Sequence, residues 1–283
     1  MRIVNLVLGL ALLVSSCSKD VDNSGEKQAL PAESRVDVSY GNDPEQKMDV
    51  YLPPDRDENT RILIIIHGGG WSGGDKSDFD TYISEFQNRL PGYAFANLNY
   101  RLVKTTGNYF PTQENDINSA VRFLKDNAAA YNVSTNFVYL GISAGAHLAL
   151  LQGYKHTDAI QPRGIVSFFG PVDLQKLYTE ADASVPYVLR TVMNATLEGN
   201  PDIFYQSSPI NYVGEGSAPT LMLHGDADEL VPLEQPYMLR DKLDQLGIYN
   251  KLVVYPGQGH GWIGDDLLDS FEQVVSFVKG LEN

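Results

Sequence analysis

The residues best suited to do chemistry are the five of Gly141-Ile142-Ser143-Ala144-Gly145. Phe137-Val138-Tyr139-Leu140 before them is strand-like, and Ala146-His147-Leu148-Ala149-Leu150 after them is helix-forming. A serine at a strand-to-helix elbow sits in a strained turn, and the flanking glycines leave room for that backbone. Its hydroxyl projects from the sheet as a nucleophile, while the next N–H, that of Ala144, is aimed at a developing oxyanion. The chemistry this equips is acyl transfer. Upstream, Ile64-Ile65-Ile66-His67-Gly68-Gly69-Gly70-Trp71 sets three glycines directly after an apolar run. Such a run turns its amides inward without side-chain obstruction, so Gly69 and Gly70 are the expected partners of Ala144 in an oxyanion hole. A phosphate loop is the rival reading, but the G-x-x-x-x-G-K-[ST] spacing is absent; Gly74-Asp75-Lys76-Ser77 lacks the upstream glycine at the required distance. His67 is expected to order the loop by hydrogen bonding. Trp71 either walls a substrate pocket or packs beneath it.

A serine hydroxyl needs a base, and the base needs an orienting carboxylate. With the nucleophile on a sheet elbow, the chain order is serine, acid, histidine. Of His67, His147, His156, His224 and His260, only the last two lie late enough and beside strand ends. His260 sits in the glycine-rich loop Pro256-Gly257-Gln258-Gly259-His260-Gly261, which can bring the imidazole over the sheet edge where Ser143 emerges. His224 is expected to tie down the following loop, Gly225-Asp226-Ala227-Asp228-Glu229-Leu230-Val231-Pro232. Asp228 is the chosen acid, Asp226 the closest rival and Glu229 the third. Asp226 is expected to shape the turn through its own backbone contacts.

These groups must be carried by a sheet. Residues 35–40 and 48–52 read as strands separated by a Gly-Asn-Asp-Pro turn cluster. Residues 61–67 form a nearly continuous β-branched run, which suits a strand buried on both faces of a largely parallel sheet. Further strands are expected over 93–99, 136–142, 164–169, 220–224 and 251–255. Helices are expected over 79–90, 114–130, 144–153, 233–246 and 266–280. Alternation without repeats indicates one doubly wound α/β domain over 35–283. The stretch 171–216, rich in Tyr, Pro and Asn, breaks the rhythm; it is either a small helical cap or two ordinary crossover helices with a loop. Its aromatics Tyr178, Tyr187, Phe204 and Tyr205 either line an acyl or sugar pocket by stacking or pack within the insertion.

Composition agrees with a globular chain: of 283 residues, 43% are hydrophobic and 20% charged. A net charge of −15 excludes a nucleic-acid-binding surface built on clustered Lys and Arg. Residues 1–17 read as a signal segment: Arg2, an apolar run too short to span a bilayer, then Val14-Ser15-Ser16-Cys17. That ending is similar to a bacterial lipobox, so Cys17 is the expected site of lipidation, anchoring a bacterial cell-envelope lipoprotein through lipid. Residues 18–34 read as a flexible tether. Cys17 is the only cysteine, which excludes disulfides and thiolate metal sites inside the domain.

Taken together, H-G-G-G-W with a following G-D-K (67–76), N-Y-R (99–101), G-x-S-x-G (141–145), H-G-x-x-D-x-x-V-P (224–232) and G-x-G-H (257–260) resemble α/β-hydrolase serine esterases. Within them they look like the bacterial acetylxylan and feruloyl esterase type. The resemblance covers about residues 35–280. It implies a mostly parallel sheet flanked by helices, the triad Ser143, Asp228 and His260, and the donors Gly69, Gly70 and Ala144. One departure is Ile142, where the related hormone-sensitive-lipase-like group carries Asp. The expected activity is serine carboxylic-ester hydrolysis, removing acetyl or feruloyl groups from plant polysaccharide or oligosaccharide, without metal or cofactor. A general short-chain carboxylesterase, an arylformamidase-like amidase and a catalytically silent binding protein on the same scaffold are the alternatives.

Overall fold

The most apolar run of the chain becomes the centre of its sheet. In the computed structural model, which describes residues 29–158 and 160–282, all five side chains of Ile62–Ile66 are buried. Full burial of an isoleucine contributes roughly 1.5–3 kcal/mol, so this segment has a strong reason to lie inside. In chain order the elements are β1 (Glu33–Ser39), β2 (Lys47–Leu52), β3 (Ile62–Ile66), α1 (Asp80–Arg89), β4 (Ala94–Leu98), α2 (Thr112–Tyr131), β5 (Phe137–Ile142) and α3 (Ala144–Tyr154). They continue with β6 (Gly164–Phe168), α4 (Leu174–Glu180), α5 (Ser184–Met193), α6 (Pro201–Gln206), β7 (Thr220–Gly225), α7 (Glu234–Gln245), β8 (Asn250–Tyr255) and α8 (Asp265–Gly280).

The eight strands form one sheet in the order β1-β2-β4-β3-β5-β6-β7-β8. β2 pairs antiparallel with β1 and β4; every pair from β4 through β3 to β8 is parallel. Strand alternation sorts the two faces. Ile62, Ile64, Ile66, Phe137 and Tyr139 pack toward α2 and α3, while Leu63, Ile65, Val138 and Leu140 pack toward α1 and α8. This is the mostly parallel, helix-flanked architecture the sequence implies.

Two details refine the domain bounds. Pairing of β1 with β2 begins at Glu33 opposite Leu52, and Leu30 O accepts from Asp55 N–H (2.8 Å), so the last residues of the stretch 18–34 pack with the domain. Residues 1–17, with the lipidation expected at Cys17, lie outside the described residues. The stretch 171–216 is not two crossover helices: α4, α5 and α6 are short and are followed by a 3-10 turn over Pro209–Tyr212. Asp173 caps α4 by accepting from the N–H groups of Gln175 and Lys176, and Asn200 caps α6 from Ile203 N–H. No described helix is long and apolar enough to cross a membrane.

Candidate active site

Ser143 follows the last residue of β5 at φ 55°, ψ −119°, a conformation that is costly for a residue with a side chain and that recurs at functional turns. Close packing demands the glycines around it. A Cβ on Gly145 would lie 2.1 Å from Ile66 O and 2.3 Å from His67 O, and one on Gly141 would lie 2.2 Å from Gly145 O. The elbow therefore presses directly against the end of β3, which brings the glycine loop beside the serine. Ser143 N–H donates to Phe168 O (2.9 Å), fixing the elbow to β6 as well.

The structure brings Ser143, His260 and Asp228 together although 117 residues separate the first two and 32 the last two. Ser143 Oγ lies 2.8 Å from His260 Nε2, and His260 Nδ1 lies 2.8 Å from Asp228 Oδ2. A carboxylate only accepts, so Nδ1 carries the proton and Nε2 is left as acceptor for the serine hydroxyl. Asp228 is wholly buried, and its other oxygen, Oδ1, accepts from the N–H groups of Leu230 (3.0 Å) and Val231 (2.9 Å). A buried carboxylate satisfied on both oxygens is fixed in direction.

Of the rival acids, Asp226 faces elsewhere. Its Oδ1 accepts from Gly257 N–H (2.6 Å), so it ties the acid loop to the histidine loop and does not shape its own turn as expected. His224 Nε2–H donates to Val231 O (2.7 Å) and lies 3.4 Å from Asp228 Oδ2, bracing the acid loop. Burial pushes the His224 imidazole below its ordinary value, and it does the same to His67.

The glycine loop curls beside Ser143. Gly69 and Gly70 have φ of 101° and 58°, and Gly69 O accepts from the N–H groups of Ser72 and Gly73, which closes the turn. Among the described residues the N–H groups of Gly69 and Gly70 have no acceptor within the protein, and Ala144, at the start of α3, has a helix-terminal N–H. Gly69 and Gly70 line the same cleft as Ser143, and Ala144 follows the serine in the chain. Trp71 is buried, yet it also borders the cleft, so both readings of it hold in part.

Supporting residues that drew no role from the sequence come from the N-Y-R motif after β4 and from the start of α3. The Tyr100 ring stacks on His67 at 4.3 Å, and its hydroxyl donates to His67 O (3.1 Å). Asn99 accepts from Lys76 N–H (2.6 Å) and donates to Asp75 (2.7 Å), holding the segment after the glycines. The Lys76 ammonium is paired with Asp49 (2.8 Å) and Asp37 (3.1 Å), which further removes a phosphate-binding role. His147, fully buried, accepts from Trp71 Nε1–H at Nδ1 (3.2 Å), so its Nε2–H donates to Ser207 O (2.6 Å). It lies too early in the chain to be the base, and the signal the sequence offers for its role is a lone imidazole in an apolar helix.

A cleft of about 520 Å3 opens over Ser143 and His260. Its far wall is Leu177 of α4, Val185 and Val188 of α5, and Leu230 of the acid loop. Tyr178, Tyr187, Phe204 and Tyr205 are not part of that wall. Phe204 is buried against Tyr178 (ring centroids 5.3 Å apart), whereas Tyr187 and Tyr205 face solvent at 67% and 52% exposure. The insertion thus packs Phe204 and Tyr178 among its own residues, beside buried Leu174, Leu177, Leu189 and Val192, and leaves Tyr187 and Tyr205 to solvent. No group of three or more His, Cys, Asp or Glu placed to hold a metal ion occurs among the described residues.

Comparison with known proteins gives this geometry a family. The BD-FAE family model matches residues 48–243, and the chain belongs to that family. It is 30% identical over 251 residues to esterase LipC of Mycobacterium tuberculosis, an alignment covering 82% of this chain and 60% of that protein. The chain spans 50–63% of the length of four curated relatives it matches. Among solved structures it is similar to a bifunctional GH43-CE protein of Bacteroides eggerthii (TM-score 0.76, 23% identity, 88% of this chain and 38% of that one). It is also similar to a truncated carbohydrate esterase from gut microbiota (TM-score 0.73, 24% identity, 88% and 96%). The fold is that of the α/β-hydrolases.

Proposed function

We propose that this BD-FAE family chain is a serine carboxylic-ester hydrolase acting through Ser143, His260 and Asp228. The observation that carries the reading is the hydrogen-bonded series from Ser143 Oγ through His260 to Asp228, 2.8 Å at each step, at the floor of an open cleft. Ser143 Oγ attacks the ester carbonyl carbon as its proton passes to His260 Nε2. Asp228 keeps the proton on Nδ1 and stabilises the imidazolium. The negative oxygen of the tetrahedral intermediate is held by the N–H groups of Ala144, Gly69 and Gly70. His260 gives its proton to the departing alkoxide, leaving an acyl ester on Ser143. Water, deprotonated by His260, then attacks that ester and releases the acid.

The substrate we assign is an acetyl or feruloyl ester on a plant saccharide, and the carbohydrate-esterase neighbours support it. A lipid anchor at Cys17 would hold the enzyme at a bacterial envelope, where such polymers are met. The aliphatic far wall of the cleft favours a second reading, a short-chain carboxylesterase without saccharide contacts. Release of acetate and ferulate from acetylated and feruloylated xylan, against a p-nitrophenyl acetate control, separates the two: cleavage of the synthetic ester alone selects the second. Ser143→Ala is expected to lower kcat on every substrate by more than about 10^4-fold with Tm unchanged. Turnover at a comparable rate in that variant overturns the assignment of the nucleophile.

A further inference from the structure

On the α1 and α8 side of the sheet, next to the cleft, lies a second cavity of about 150 Å3. Strand alternation creates it. Leu140 and Ile142 share the face that α1 and α8 cover, so the residue directly before Ser143 turns its side chain into this layer. The remaining wall is aromatic and aliphatic, with Phe86 from α1 and Leu267 and Phe271 from α8.

Phe79, Ile142 and Phe169 border both the cleft and the cavity, and they form the partition between them. Phe169 is held there at φ 41°, a left-handed conformation costly for a bulky residue, with its N–H donating to Leu223 O (2.8 Å). Its ring lies 4.6 Å from that of His260 and 5.3 Å from that of Trp262. The fold thus keeps a strained aromatic at the junction of the base and an apolar void, where protein interiors are otherwise close-packed. Its lining side chains are apolar apart from the Tyr82 phenol and the Trp262 indole N–H, which already donates to Ser270 Oγ (2.8 Å). A space of this volume accepts a ring the size of benzene.

We propose that this cavity receives the tail of the acyl group carried on Ser143, either an aromatic ring or an aliphatic chain of about four to six carbons. The inference rests on Ser143 being the nucleophile, because only then does the acyl group start beside Ile142. An acetyl group leaves the cavity empty.

The test is kcat/KM for p-nitrophenyl acetate, butyrate and hexanoate with the full chain and with Leu267→Trp, which fills the cavity from α8 without touching the cleft. The expected result is a rise of at least tenfold from acetate to hexanoate. Leu267→Trp should cut hexanoate at least tenfold and leave acetate within twofold. A flat series, or an equal fall on all three esters, overturns the proposal. Should Leu267→Trp prove unfolded by its melting curve, Leu267→Ala enlarges the cavity and must move the optimum toward octanoate; an unmoved optimum overturns it equally. The two readings fail separately. Hydrolysis that survives Ser143→Ala removes the nucleophile, whereas Ser143-dependent hydrolysis indifferent to acyl length removes only the cavity.

Discussion

On the sheet side of the cleft, backbone atoms do the positioning: Gly145 lies against Ile66 O and His67 O, Ser143 N–H is bound by Phe168 O, and Asp228 is gripped by two amides. On the opposite side, α4 and α5 offer side chains, Leu177, Ser184, Val185 and Val188, on short helices. Backbone placement follows from strand register and tolerates almost no substitution. Side-chain placement on an inserted helix can change without disturbing the sheet. On the proposed reading the chemistry and the acyl cavity sit on the first side, and contact with the rest of the substrate on the second. Between them runs one buried seam, from Trp71 through His147 to Ser207 O.

The largest expected effect lies on the sheet side. In Asp228→Asn, the carbonyl oxygen stays on the amides of Leu230 and Val231, which turns the NH2 group toward His260 Nδ1. That nitrogen must then accept, the proton moves to Nε2, and the base is lost. We expect kcat to fall about 10^4-fold with Tm little changed. Asp226→Asn, at a side chain that accepts from Gly257 N–H and does not reach His260 Nδ1, should stay within about tenfold. Equal losses in p-nitrophenyl acetate assays would mean the two acids had been assigned wrongly.

Next in size is the seam. Burial pushes the His147 imidazole down to about 4, from an ordinary value near 6.5, and a proton on Nδ1 would also face the Trp71 N–H that it now accepts. Above pH 6.5 both folded and unfolded chains hold this histidine neutral. Between 6.5 and 4 only the unfolded chain binds the proton, so stability falls as pH falls, by about 3 kcal/mol over that window, and no further below it. Urea unfolding of the native chain and of His147→Gln between pH 7 and pH 4 measures this. An unchanged slope in the variant would place the acid sensitivity in other groups, such as His224 and His67.

The smallest effect belongs to the insertion. Val188→Ala removes apolar contact from the far wall and should raise KM about fivefold with kcat within twofold, the pattern of uniform binding loss. A fall in kcat at constant KM would move α5 into the groups that act on the transition state and dissolve the contrast between the two sides.

Much of this was legible in the residues because it is local. The apolar run at 61–67 dictates a doubly buried strand, G-x-S-x-G dictates an elbow, and glycines after a strand dictate free amides; each depends on neighbours within a few positions. Motif order placed His260 last for the same reason. The insertion was harder, since Tyr and Pro composition cannot say whether Phe204 faces a substrate or a neighbouring helix. Nor could it show that Asp226 reaches the histidine loop.

The sequence by itself singled out the candidate nucleophile and base and the sheet that carries them, through spacing that constrains one stretch of backbone at a time. Only the tertiary structure carried Asp226 to Gly257 N–H, joined Trp71 to Ser207 through His147, and opened an apolar cavity behind Ile142. Those outcomes depend on side chains converging from strands far apart in the chain. Strand order and alternation, which no short motif encodes, decide which of them meet.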